Sequence, residues 1–409
     1  MPYILFVFYF VGYNEINEVW NYYGFPTTLS IGKVILSISL LTITSIIFVK
    51  LYKTNLYYQI LAYYYYLIFL PQLVFFTYNN SNFFKLLVIH FIFLSVLFIF
   101  SDKVLKTLKF PKVLRINSKN YRRYLLIVLI LLLIPFFQTL KTFNPNNFNP
   151  YLVYIDRLEV RSRDYNFKIL MDYTINGITR VLIPVFSVYF FSKKKYTLSI
   201  ALISIIVILF ASTGGLKSML LIVPATLFFL NKSYDKISTF LFWIPILIII
   251  SSLIEKLTLD TFFISVIFTR RIFFVPPLLE TFYLETFPNY LFYQHSILSD
   301  FSGPFMPITR IIGERYFSNP EMSANIGLIV EGYLNFGYSG VIFHSCLVSY
   351  LLRYVNSKNI PSSYFGIIFV LLYVLNTSFL FPFLITHGFI ILLLILPMFN
   401  NKNSPLISI

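Results

Sequence analysis

The sequence predicts an all-α polytopic membrane protein of about 12 transmembrane helices, and three observations predict it. Of 409 residues, 58% are hydrophobic and 12% charged, with a positive mean hydropathy. That is far from the mixture of a soluble domain and close to that of a chain housed in lipid. Apolar runs of roughly 15–20 residues, enough to approach or cross about 30 Å of hydrocarbon, recur along the whole length. The cations behind a net charge of +16 gather in short segments between those runs. Such placement sets bilayer topology, and it argues against nucleic acid as a partner.

Taken in order, the candidate spans fall near 2–13, 29–49, 56–78, 83–100, 121–140, 174–192, 196–212, 216–230, 237–254, 325–352, 362–380 and 383–399. The first, in "MPYILFVFYFVGY", lacks the basic start and small-residue cleavage site of a signal peptide and reads as a short span. The segment "SDKVLKTLKFPKVLRINSKNYRRY" (101–124) carries eight Lys or Arg against one Asp, which predicts a cytoplasmic location. Threading from it places 50–55, 192–196, 231–236, 353–359 and 401–403 on the same side, with both termini cytoplasmic. Two long segments, 141–173 and 255–324, then face outward, and loops of that length are usually functional or disordered. Within the second, "VPPLLETFYLETFPNYLFYQ" (275–294) reads as a helix begun by proline and lying at the membrane surface. The single cysteine, Cys346, sits in an apolar run, so no intramolecular disulfide and no Cys-based metal site is expected.

The residues that could carry chemistry are charges where charge is costly. Lys217 follows Thr213, Gly214 and Gly215 between two runs that reach only roughly 24 Å as helices, so their turn is expected below the outer surface. Irregular backbone at that depth lines a cavity, and a helix start with a lysine suits phosphate. Snorkelling to the interface is the plain alternative. Arg180 is a second intramembrane cation, with Asn176 and Gly177 on nearly the same face; a structural pair with a neighbouring helix is its alternative. In the first outer segment Arg161 and Arg163 suit diphosphate or sugar acids, or else form a self-paired surface. The second offers Arg270, Arg271, Arg310, Arg315 and His295.

After Arg315, Asn319-Pro320-Glu321 reads as a helix start, which would put Gly327, Glu331 and Asn335 on one face near Asn325. Glu331 is the first candidate for a general base and His295 the second. A structural carboxylate paired with Arg310 or Arg315 is the competing reading of Glu331. No Asp-x-Asp metal clamp, nucleotide-binding glycine pattern or hydrolase triad is present, so neither metal nor cofactor is expected.

At "GGLKS" (214–218), "RRIFF" (270–274), "ITRIIGERYF" (308–317) and "NIGLIVEGYLNFGYSG" (325–340), and in layout across nearly the whole chain, the sequence resembles the Wzy-type O-antigen polymerases. The resemblance implies a GT-C-like fold in the bacterial inner membrane, with two large periplasmic loops. It also implies metal-independent polymerisation of undecaprenyl-diphosphate-linked oligosaccharide repeats, loop arginines on the substrate, and a chain-length regulator as partner. Some members space Arg and Gly by ten residues in both loops; here Arg315 to Gly327 has eleven between and Arg161 to Gly177 fifteen. Rival readings are an O-antigen ligase, a flippase, and a GT-C enzyme using a polyprenyl monophosphate sugar. In the last, Glu15 and Glu18 of "YNEINEVW" would act, against a plain role in loop solubility.

Overall fold

The computed structural model describes residues 1–78, 82–101, 103–105, 143–148, 175–212, 217–259, 261–293 and 307–396. Among these the chain is helical with no named strand: α1 Pro2–Trp20, α2 Ile31–Lys50, α3 Leu56–Phe76, α4 Phe83–Ile99, α5 Ile175–Ser192, α6 Tyr196–Ser212, α7 Lys217–Phe229, α8 Tyr234–Leu259, α9 Val275–Thr286, α10 Ile308–Phe317, α11 Leu328–Asn356, α12 Phe365–Leu375, α13 Leu380–Ile385 and α14 Phe389–Ile395. Helix occupies much of every apolar run among the described residues, whereas 121–140 lies outside them together with most of 101–124 and 141–173. Four of the described helices, α2, α3, α5 and α8, are long and apolar enough to cross a membrane. This is an all-α membrane protein.

The chain divides into two compact units. One comprises Met1–Leu108, Tyr234–Arg353 and Leu375–Phe379. At its centre is α3, with 94% of its most apolar window buried, whereas α2 buries only 28% of its own. The difference marks α2 as a peripheral helix: Ile31, Ile35, Ile43 and Val49 stay exposed, an apolar face suited to lipid. Asn55 caps α3 by accepting the N–H of Tyr58 at 2.9 Å. α9 belongs to this core and not to a membrane surface, and it ends at Thr286. Its Glu280 is buried, accepting from Gln72 Nε2 of α3 at 2.9 Å and meeting His90 Nε2 of α4 at 2.9 Å, while Tyr64 closes on His90 Nδ1 at 2.6 Å. A carboxylate with such partners can be buried on a helix that sequence alone assigns to a wet surface.

Three helical stretches widen to π geometry: Tyr65–Phe69 in α3, Ile178–Leu182 in α5, and Ser265–Phe274 leading into α9. Each ends two residues before a proline, Pro71, Pro184 and Pro276. The cause is local. Proline has no N–H and its ring crowds the carbonyl one turn back, so the preceding turn relaxes outward and neighbours satisfy the freed groups. Tyr9 of α1 does so in α3, its hydroxyl donating to the Tyr66 carbonyl at 2.9 Å.

The second unit comprises Lys109–Ser233, Tyr354–Val374 and Leu380–Ile409. α5 and α6 form an antiparallel hairpin, joined by Ser187 and Ser199 through hydroxyls 2.8 Å apart. α7 and α12 cross at backbone contact: a Cβ on Gly366 would lie 2.4 Å from the Ala225 carbonyl oxygen. The run 383–399 is not one helix, because the chain turns at Thr386–Gly388 and Gly388 takes φ +91°.

Candidate functional site

The site begins with a break in what reads as a single span, 325–352. Asn319-Pro320-Glu321 does not start the helix. Asn319 folds on itself, its side-chain oxygen accepting Glu321 N–H at 3.0 Å, and Ala324 N–H is held by the Thr309 carbonyl at 3.1 Å. Helix α11 starts only at Leu328, just after Gly327, where a Cβ would stand 3.0 Å from the Asn376 carbonyl oxygen. After two turns the chain reverses at Phe336 (φ −141°, ψ 20°) and Gly337 (φ 62°, ψ −147°), a conformation that glycine alone adopts readily. The arms 328–335 and 338–356 then lie back to back. A Cβ on Gly340 would stand 2.0 Å from the Gly332 carbonyl oxygen, and His344 Nδ1 meets the Leu328 carbonyl at 2.6 Å.

The hairpin gathers four polar side chains. Glu331 is buried on the short arm, and Asn335, one turn on, donates to its carbonyl at 2.9 Å. Tyr293 approaches from the preceding segment with its backbone at φ 60°, held there because its N–H donates to Asn335 Oδ1 at 2.6 Å. Its hydroxyl lies 2.7 Å from His344 Nε2. The Leu328 carbonyl can only accept, so Nδ1 carries the ring proton and Nε2 of the neutral imidazole accepts from Tyr293. Burial pushes the Tyr293 phenol up, and the negative charge of nearby Glu331 pushes it further, so this hydroxyl stays protonated. A buried carboxylate, a fixed phenol and a neutral imidazole at a strained backbone form an acid–base constellation.

The competing partners of Glu331 are occupied elsewhere. Arg310 pairs with Glu321 at 3.7 Å between exposed side chains, and Arg315 lies over the ring of its neighbour Tyr316 at 5.7 Å. Asn325 is exposed and takes a hydrogen bond from Ser323 at 2.9 Å, a local turn apart from the Glu331 group. Arg270 and Arg271 ride the π stretch that leads into α9. Burial and the charge of Arg271 lower the Arg270 guanidinium from its usual value. His295, Arg161, Arg163, Gly214 and Gly215 lie outside the described residues.

The two cations expected within the membrane, Arg180 and Lys217, belong to the second unit. Arg180 sits in the π turn of α5, 5% exposed, with its guanidinium against His387 Nδ1 at the α13–α14 break. Gly177 opens no ligand face there. It is filled by Ile391 and the Cα of Gly388, so the small residue serves close helix packing. Lys217 opens α7, and α7 packs on the π turn that carries Arg180.

No family model matches this chain, and neither does any curated protein or solved structure. The functional reading therefore stands on side-chain chemistry.

Glu15 and Glu18 lie within α1 and not in a loop, and both serve α8. Ser252 donates to both Glu15 oxygens at 3.0 Å, and Lys256 pairs with Glu18 at 3.1 Å. Tyr293 and His344 escaped the sequence reading. Their signal was present in the three glycines at 332, 337 and 340, which disturb a run otherwise apolar enough to be read as a span.

Proposed function

We propose that this chain is an inner-membrane glycosyltransferase that polymerises polyprenyl-diphosphate-linked oligosaccharide repeats at the periplasmic face, with about 12 spans in a GT-C-like arrangement. The observation that carries the reading is Glu331, a buried carboxylate whose charge acts on a phenol that is itself bonded to an imidazole, on an arm that follows a segment rich in arginine. In the proposed reaction Glu331 takes the proton of the acceptor sugar's hydroxyl as that oxygen bonds to the anomeric carbon of the donor. The bond from that carbon to the diphosphate breaks, and its electrons leave with the diphosphate. Tyr293 and Asn335 hold the arm in register. The leaving diphosphate gathers negative charge, which cations in a partly dry site stabilise best. Arg271, Arg310 and Arg315, in the same unit as Glu331, are the candidates; Arg161, Arg163, Arg180, Lys217 and His295 remain proposals from the sequence alone.

The test is a strain lacking this gene, complemented with wild type or Glu331→Gln and assayed by glycan gel. Removal of a general base costs about 10²–10⁴-fold, enough to erase a ladder. The expected result is a single repeat on the core in both the deletion and the Gln variant, with normal membrane abundance. A full ladder from Glu331→Gln overturns the assignment. Lipid-linked polymer absent from the surface would indicate a ligase. The interrupted helices α11 and α13–α14 also suit a flippase, since transporters build sites from such breaks; unpolymerised repeats held in the cytoplasm would identify one.

A further inference from the structure

α1 ends in Trp20, and the following turn, Asn21–Tyr23, sets two tyrosines beside it. The Tyr22 and Tyr23 ring centroids are 4.5 Å apart, and each is 5.7 Å from Trp20. Tyr23 continues to Phe317 at 6.3 Å. Arg270 joins this cluster from the π stretch before α9, its guanidinium carbon 4.1 Å from the Trp20 ring centre and 5.3 Å from that of Tyr23. Two features set the cluster apart from ordinary core. Tyr22 is 68% exposed although it lies in an aromatic group, while Arg270 is 9% exposed. Beneath the rings, Arg270 Nε and Trp20 Nε1 are buried donors with no hydrogen-bond partner. Buried polar atoms are nearly always satisfied, so a pair of orphans on adjoining side chains calls for an explanation.

The ligand that fits is defined by both features together. Flat aromatic faces attract the weakly positive C–H face of a pyranose, and N–H donors take its hydroxyl, ring or carboxylate oxygens. A lipid tail would use the rings and waste the donors; a bare phosphate would do the reverse. Arg270, stacked on Trp20, is held in a plane from which its fork can meet a sugar acid. The sequence threading also places 14–28 and 255–324 on one side of the membrane, the side to which the proposed substrate is delivered.

We infer that Trp20, Tyr22, Tyr23 and Arg270 form a saccharide subsite, in which a sugar ring of the glycan stacks on the tyrosines and its oxygens engage the two orphan donors as the rings part. The inference rests on the glycosyltransferase reading for its biological substrate, though the binding chemistry can be measured alone. The protein has two tryptophans, and Trp243 is a half-exposed residue of α8, so Trp243→Phe leaves Trp20 as the sole reporter. Full-length protein in nanodiscs is titrated with lipid-free, repeat-length oligosaccharides released from the host's own surface polysaccharide, and separately with inorganic diphosphate.

The expected result is a saturable change in Trp20 emission with oligosaccharide, weakened about tenfold or more by the paired Tyr22→Ala and Tyr23→Ala substitutions. Arg270→Ala should weaken it too. Because Arg270 is buried and its loss could unfold the protein, the exposed tyrosine pair is the deciding variant. No response to saccharide, equal affinity in the tyrosine variant, or a response to diphosphate alone overturns the subsite. A normal ladder in the strain lacking the gene, beside intact saccharide binding by the purified protein, would sink the polymerase reading and leave the subsite standing.

Discussion

Ser252 and Lys256 both serve a glutamate of α1, yet their contributions should differ. Ser252 is the hydrogen-bond donor to a buried carboxylate, Glu15, so Ser252→Ala leaves that charge short of a partner and is expected to cost about 1–3 kcal/mol. Lys256 pairs with Glu18, which is 69% exposed, so Lys256→Ala should cost under about 1 kcal/mol and less as salt rises. Thermal unfolding of the purified variants in one detergent checks the ranking, and equal losses would contradict it. At Glu331 the same reasoning concerns placement. Glu331→Asp withdraws the carboxylate by one methylene from the neighbourhood of Tyr293. A shift of that size can slow chemistry about 10²-fold, so a faint, short ladder is expected where Glu331→Gln leaves none. The candidacy of Glu331 was legible in the sequence, since a carboxylate in an apolar run is expensive. Its neighbours were not, because Tyr293 and His344 are 51 residues apart and only the hairpin brings them to 2.7 Å.

Among the helical elements, prolines and glycines decide where the regular path gives way. The three π stretches precede Pro71, Pro184 and Pro276, and two of them carry arginines that a regular helix would aim elsewhere. The α11 hairpin depends on glycine for two separate reasons, conformation at Gly337 and contact at Gly340. Gly337→Ala forces a side chain into a region reserved for glycine and against the Tyr290 hydroxyl, at an expected cost of about 1–3 kcal/mol. Gly340→Ala drives a methyl into the Gly332 carbonyl, which is backbone and cannot move aside, so it should be the worse of the two. Gly32→Ala is the control: a Cβ there meets nothing within 4 Å, and a helix gains about 0.5–1 kcal/mol from the change. Membrane abundance and melting temperature should fall from Gly32→Ala, at or above wild type, through Gly337→Ala to Gly340→Ala. The helix positions themselves were readable, because a run of apolar residues between Lys-rich segments has few other ways to satisfy its backbone in lipid. The break inside 325–352 was hidden, because hydropathy averaged over a run does not register a two-residue reversal.

For the whole molecule, the positive-inside threading makes a prediction independent of any reaction. In a Cys346→Ser background the chain has no other cysteine, so single cysteines can be placed at will. Substitutions at Lys53, Lys103 and Lys194 should resist a membrane-impermeant maleimide in cells whose outer membrane alone is permeabilised. Substitutions at Tyr22 and Phe287 should react. The reverse pattern would invert the orientation and remove the proposed periplasmic site with it. Labelling at Lys194 without labelling at Lys103 would instead change the number of spans between them.

The sequence by itself determined that this is a helical membrane protein, where most of its helices lie, and which charges are out of place, since all three follow from the cost of polar groups in hydrocarbon. Tertiary structure alone decided what those charges do. Glu15 was drawn to a serine 237 residues away and Glu280 to a histidine 190 away. Arg180 was taken up by His387 across 207 residues. Glu331 was brought near Tyr293 by a fold-back. Partner choice at such separations is a property of packing, and no local pattern in the chain encodes it.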